Sequence, residues 1–193
     1  MGQLYSTDHF LIVAIAGAVM MSFIYHLILY IQLRSALLQA YTSYLFVAAS
    51  YILFRSFFPD RNNTPSDVFD FDEMLQMLSF IFYIRFMSVA MELNRKNEKW
   101  AYLFARAAPF IIITSVAVYQ ILIMQSFSLP LIEVGIVLAK FGVRIYLLLA
   151  GFFLLLSVLE KRKGLFYRFI AGGAICIILF GGLATLVHVF SPN

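Results

Sequence analysis

The sequence predicts an all-α, polytopic membrane helix bundle of six transmembrane helices, with both termini on the outer side. Hydrophobic residues make up 63% of the 193 residues and charged residues only 12%, against roughly 45–50% and 25% in soluble domains. Six apolar stretches approach the length of about 20 residues that a helix needs to cross a bilayer. Basic residues concentrate in alternate loops between these stretches, as the topology rule for membrane helices requires.

The apolar stretches form a single transmembrane helical domain that covers residues 1–193. None of them alternates with the period of two that marks a barrel strand, so helices are the structure that satisfies their backbones in lipid. Polar or charged loops separate most of the spans, and turn formers fill the long loop of residues 59–70. The spans are predicted at about residues 10–32, 37–58, 71–91, 105–124, 131–160 and 166–190.

The charges of the loops predict the orientation. One side of the predicted bundle carries nine basic residues against three acidic ones. The other side carries Arg55 and Arg61 against six acidic residues. Because Lys and Arg accumulate in cytoplasmic loops, the basic side is assigned to the cytoplasm and both termini to the outside. The basic residues are Arg34, Arg95, Lys96, Lys99, Arg106, Lys161, Arg162, Lys163 and Arg168. The net charge of +4 therefore predicts topology and gives no indication of nucleic-acid binding.

The fifth span contains three charged residues on one helical face. Glu133, Lys140 and Arg144 are separated by seven and four residues, which is helical spacing. A charge inside the bilayer costs at least about 2.5–3.5 kcal/mol unless it has a partner. The face is therefore either an outward-facing cationic pocket, which receives an anionic ligand or couples to an outer domain, or a structural arrangement. In the structural arrangement, Lys140 and Arg144 pair with the carboxylates of Glu133, Asp72 and Glu73. A third possibility is that Lys140 snorkels outward from a shorter span.

Three further ionisable residues at or within the spans are candidates for a structural or binding role. Arg55 closes the second span and is expected to anchor the outer interface or to take part in ligand recognition. His188 lies near the outer end of the sixth span. Arg85 in the third span is expected to be a structural charge that snorkels to head groups or pairs with Glu92.

The sequence carries no constellation that indicates catalysis. It has no Gly-x-Ser-x-Gly, no His-Glu-x-x-His and no phosphate-cradling glycine loop. Its three histidines show no metal-ligand spacing, and its single Cys176 excludes a disulfide scaffold. We therefore expect no catalytic residue, no metal and no cofactor.

Several aromatic segments resemble a known family. The end of the first span reads Tyr25-His-Leu-Ile-Leu-Tyr30-Ile-Gln-Leu-Arg34, and a Tyr-rich second span follows. The third span ends with Arg85-Phe86, and the sixth begins with Tyr167-Arg168 and continues to Gly172-Gly173. This pattern resembles the membrane region of bacterial seven-transmembrane receptors with diverse intracellular signalling modules. Two departures are His26, where the family pattern has Asn, and six spans in place of seven.

The resemblance implies a sensor core in the bacterial inner membrane that relays an extracytoplasmic signal. It also implies a homodimer, and a seventh helix beyond Asn193 that leads to a histidine kinase, a cyclase or a DNA-binding domain, as in two-component systems. The partners expected for this segment are membrane lipids and an anionic or small-molecule ligand outside. The candidates for ligand binding or coupling are Arg55, Glu133, Lys140, Arg144 and His188.

A six-helix substrate-binding membrane subunit of a small-molecule transporter is the alternative. Its size matches that of the vitamin-binding subunits of energy-coupling transporters. Ala14 and Ala18 provide a small-xxx-small step of the kind that lets membrane helices pack closely. The sequence leaves both functions open.

Overall fold

The structure is a computed structural model that describes residues 2–57, 70–124 and 130–160, together with six residues between 167 and 179. Within these ranges the secondary structure is entirely helical, apart from turns and short links. Five helices are defined: α1 (Gly2–Leu33), α2 (Ala36–Phe57), α3 (Phe71–Ala90), α4 (Lys99–Met124) and α5 (Pro130–Glu160).

All five helices contain a segment long and apolar enough to cross a membrane. The prediction of a helical membrane protein is therefore confirmed in the length and the apolar composition of its helices. The sixth predicted span, 166–190, lies mostly outside the described residues. The six residues described there are helical: Tyr167, Arg168, Ala171, Gly172, Ile175 and Leu179. The count of six spans and the outer location of both termini stay predictions.

Many large apolar side chains point away from the protein. On α1 the exposed ones include Met21, Ile24, Ile28 and Ile31. Only 6% of the apolar window of α1 is buried inside the protein. Apolar surface of this extent is unfavourable in water and is the normal outer face of a helix in lipid.

Two helix boundaries differ from the sequence prediction. Helix α1 begins at Gly2, eight residues before the predicted span. Helix α4 begins at Lys99, six residues before its predicted span. Hydropathy marks the part of a helix that crosses lipid, whereas the backbone stays helical into the polar layer. Because α4 begins at Lys99, Pro109 lies in the interior of this helix.

The residues form two compact units. Unit 1 consists of Met1–Ala90 and Gln120–Ser126. In it α2 packs against both α1 and α3. Ring contacts pair Tyr41 with Phe86, Tyr44 with Tyr83 and Phe54 with Phe71. Because positions on α3 fall as positions on α2 rise, these two helices are antiparallel.

A turn of two residues joins α1 to α2. Arg34 has a φ of 47°, in the left-handed region. Its N–H donates to the carbonyl of Tyr30 at 2.8 Å, which closes the end of α1. The N–H of Gln39 then donates to the carbonyl of Ser35 at 2.9 Å, in the first turn of α2.

Unit 2 consists of Met91–Tyr119 and Phe127–Asn193. In it α4 and α5 contact each other in antiparallel directions, with Trp100 and Phe104 stacked on Phe153. The hydroxyl of Tyr146 donates to the carbonyl of Phe104. The buried face of α4 consists largely of small residues at helical spacing, which allows close approach of a neighbouring helix. These residues are Ala101, Ala105 and Ala108, followed by Ile112.

Candidate functional site

The last turn of α2 lies beside the first turn of α3, and Arg55 is the central residue there. Its guanidinium Nε is 3.6 Å from Oδ1 of Asp72. Its Nη1 donates to the hydroxyl of Tyr51 at 3.2 Å, and its Cζ lies 5.9 Å from the centroid of that ring. We call Tyr51, Arg55 and Asp72 the Arg55 cluster. It joins the ends of two antiparallel helices through charge.

The Arg55 cluster is partly open. The side chain of Arg55 is 47% exposed and that of Asp72 is 30% exposed. An ion pair at such exposure contributes only about 0–1 kcal/mol. The pair therefore adds little net stability to the junction of the two helix ends, although the Asp72 oxygen that faces Arg55 is itself buried.

The start of α3 is held by a second, more buried set of contacts. Asp70 caps the helix, because its Oδ1 accepts a hydrogen bond from the N–H of Glu73 at 3.1 Å. The side-chain amide of Gln120 accepts from the N–H of Asp70 at 3.1 Å and donates to its carbonyl at 3.0 Å. Gln120 is only 6% exposed. This pair of hydrogen bonds, which we call the Gln120 clamp, fixes the α3 start beside the Arg55 cluster.

The opposite end of unit 1 is aromatic. The ring of Tyr41 packs on His26 at 4.7 Å and on Phe86 at 5.0 Å, measured between centroids. Tyr44 lies 5.6 Å from Tyr83 and 6.5 Å from Phe86. Together these five residues form the Tyr41 cluster, which connects α1, α2 and α3. Tyr44 and Tyr51 are seven residues apart on α2, so the nearest members of the two clusters are separated by about 10 Å along the helix axis.

His26 is oriented by its own helix. Its Nδ1 lies 2.8 Å from the carbonyl oxygen of Ser22 and 3.5 Å from the Ser22 hydroxyl. The contact with the carbonyl requires a proton on Nδ1, which fixes the tautomer of the neutral ring. His26 therefore contributes a hydrogen bond as well as an edge-on contact to the Tyr41 cluster.

The charged face of α5 belongs to unit 2. Lys140 is half-buried, and its Nζ lies 4.5 Å from the centroid of the buried Tyr119 ring. Arg144 lies one turn further along α5 and is also half-buried. The contact of the Lys140 ammonium with an aromatic face supports the structural interpretation of this charge, since cation–π contacts stabilise a cation out of water.

We expect a measurable coupling between Lys140 and Tyr119. A double-mutant cycle with Lys140→Met and Tyr119→Leu should give a coupling free energy of about 0.5–2 kcal/mol in the unfolding equilibrium. Lys96→Met serves as the control cation, because Lys96 is exposed in the turn before α4. A coupling energy no larger than that between Lys96 and Tyr119 would contradict the contact.

The remaining predicted site residues have different outcomes. Glu133 lies in α5, but its side chain is outside the described residues, as is the whole of His188. Arg85 is exposed on α3, and among the described residues it forms no ion pair with Glu92. No group of three or more potential metal ligands occurs in the described part of the chain.

Sequence reasoning missed two partners. It considered Asp72 only as a counter-ion for the charges of α5 and did not propose its ion pair with Arg55. It did not single out Gln120, although a Gln in a long apolar stretch is a signal for a buried polar contact. A comparison with protein-family models, curated proteins and solved structures finds no match to the chain.

Proposed function

We propose that this chain is the membrane sensor core of a bacterial signalling receptor, whose output module acts in the cytoplasm. The Arg55 cluster carries the proposal. It offers a partly exposed cation, held by a weak ion pair, at the helix ends that the loop charges assign to the outside. The resemblance of the aromatic segments to the receptor family gives independent support.

The proposed signal begins with competition for Arg55. An anionic ligand, or an anionic group on a small molecule, binds the guanidinium and displaces the Asp72 carboxylate. Arginine suits this role because its planar fork binds carboxylate and phosphate groups through two parallel hydrogen bonds. Only a ligand with different affinities for the paired and the released state shifts the equilibrium between them.

The α2–α3 pair transmits the proposed signal across the membrane. Release of Asp72 removes the charge contact between the last turn of α2 and the first turn of α3. The Phe54–Phe71 contact and the Gln120 clamp keep the α3 start in place. A small shift of α2 then reaches the Tyr41 cluster, because packed helices move as rigid elements. In a homodimer this shift is passed to a seventh helix and to the output module. We propose no enzymatic activity for this segment.

The proposal requires a defined topology in the bacterial inner membrane. A reporter that is active only in the cytoplasm should be active when fused after Lys96, in the basic turn before α4. The same reporter should be silent when fused after Asn193. The reverse pattern would put Arg55 on the cytoplasmic side and would contradict an extracytoplasmic ligand.

A transport subunit is the competing function. Ala14 and Ala18 are exposed on α1, so their small-xxx-small step is compatible with packing against another subunit. Purification separates the two functions. A transport subunit should carry a tightly bound, vitamin-sized molecule through detergent extraction, whereas a sensor core with an exposed Arg55 should release its ligand.

A further inference from the structure

A half-open cleft of about 310 Å³ lies in unit 2, where α5 ends. Its walls are formed by the last turn of α5 and by the helical residues that follow it in the chain. The described residues that line the cleft are Val158, Leu159, Tyr167, Arg168 and Ala171. The volume is at the lower end of that of small-molecule sites in proteins. It fits a polar head with a short length of hydrocarbon.

The cleft lies at the level where a membrane helix leaves the hydrocarbon. The apolar segment of α5, Val134–Glu160, has 27 residues and is therefore about 40 Å long. The hydrocarbon core of a bilayer is only about 30 Å thick. Val158 and Leu159, in the last turn, are thus expected at the boundary between acyl chains and head groups.

The lining has the chemistry of an anionic amphiphile. Val158, Leu159 and Ala171 provide an apolar wall, and Arg168 provides an exposed cation at the edge of the cleft. Within the described part of the chain Arg168 makes no ion pair with a carboxylate. A guanidinium in this setting binds a phosphate diester through two parallel hydrogen bonds, and basic pockets beside cytoplasmic helix ends favour anionic lipids.

The charge of the neighbouring sequence favours the same ligand. Residues 161–163 are Lys-Arg-Lys, against one nearby carboxylate at Glu160. Each basic residue close to an anionic membrane surface adds about 1 kcal/mol of attraction. A zwitterionic lipid has no net charge, so this excess of positive charge attracts it much less strongly.

We propose that this cleft is a binding site for one anionic phospholipid, with the phosphate on Arg168 and the start of an acyl chain against Val158 and Ala171. The site is separate from the Arg55 cluster and does not depend on the receptor function. Occupancy of this site at the end of α5 would then depend on the lipid composition of the surrounding leaflet.

Native mass spectrometry of the whole chain in detergent tests this proposal, with phosphatidylglycerol and phosphatidylcholine as probes of matched acyl chains. We expect the wild type to retain one phosphatidylglycerol at least about tenfold more tightly than phosphatidylcholine. Arg168→Gln should remove this preference, and Arg168→Lys should keep most of it. Arg95→Gln is the matched control, because Arg95 is an exposed residue of another basic turn.

Four outcomes would overturn the proposal. The first is equal retention of the two lipids by the wild type, a measurement that needs no variant. The second is an equal loss of phosphatidylglycerol in Arg168→Gln and Arg95→Gln, which would indicate general charge attraction. The third is an unchanged preference in a folded Arg168→Gln. The fourth is inorganic phosphate displacing the lipid at equal concentration, which would make the site one for a free anion.

Discussion

Gln120→Leu is expected to destabilise the chain by about 1–3 kcal/mol. The substitution removes both hydrogen bonds of the Gln120 clamp and leaves the N–H and the carbonyl of Asp70 without their side-chain partner. A buried polar group that loses its partner costs about 1–3 kcal/mol. This penalty falls on the N–H of Asp70, because its carbonyl still accepts a hydrogen bond from the N–H of Met74 at 3.2 Å. Leucine fills a similar volume, so the loss reports the hydrogen bonds and not a cavity.

The measurement is the free energy of unfolding in mixed micelles of increasing denaturing detergent. Gln39→Leu is the matched control, because Gln39 is exposed on α2 and its side chain forms no hydrogen bond among the described residues. That variant should stay within about 0.5 kcal/mol of the wild type. Equal stability of the two variants would show that the clamp does not hold α3.

Much of the architecture could be predicted from the sequence. The bounds of α2 and α3 fall within one residue of the predicted spans, because apolar length fixes where a helix can cross lipid. The start of α4 was missed, since Trp100 and Ala101 already pack in unit 2 within a stretch that reads as a basic loop. Packing, which hydropathy does not measure, extends this helix.

The candidate site was predictable only in part. Arg55 stands out as a charge at the end of an apolar run. Its pairing with Asp72 follows from the antiparallel contact of α2 and α3, which brings a last turn next to a first turn. Gln120 forms hydrogen bonds with Asp70, which lies fifty residues earlier in the sequence, and no local sequence pattern predicts this contact. Long-range polar contacts therefore depend on helix arrangement, which the sequence alone does not specify.

Asp72→Asn and Arg55→Gln are expected to move the receptor toward its stimulated state without a stimulus. Both variants break the ion pair of the Arg55 cluster. Asp72→Asn keeps the size of the side chain, and Arg55→Gln replaces the guanidinium with a shorter, neutral amide. A pair of this exposure is worth up to about 1 kcal/mol, which corresponds to a shift of roughly two- to fivefold in each protomer. The upper limit of the shift rises to about 25-fold when both protomers of a homodimer switch together.

The two variants should differ in their response to an anionic stimulus. Asp72→Asn removes the competitor and keeps the guanidinium, so the receptor should respond at lower stimulus concentration than the wild type. Arg55→Gln removes the binding group itself, so a further response should be absent. If the ion pair were purely structural, the two variants would instead respond to the anionic stimulus in the same way.

The most direct test is the transcript profile of the host carrying the complete protein as wild type, Asp72→Asn, Arg55→Gln or a deletion. Glu92→Gln is the control, since Glu92 is an exposed carboxylate outside the Arg55 cluster. A sensor core predicts that the unstimulated Asp72→Asn and Arg55→Gln strains share a set of changed transcripts that neither the deletion nor Glu92→Gln produces. Profiles of both variants that match the deletion or the wild type would contradict the assignment of the Arg55 cluster as the input of a receptor.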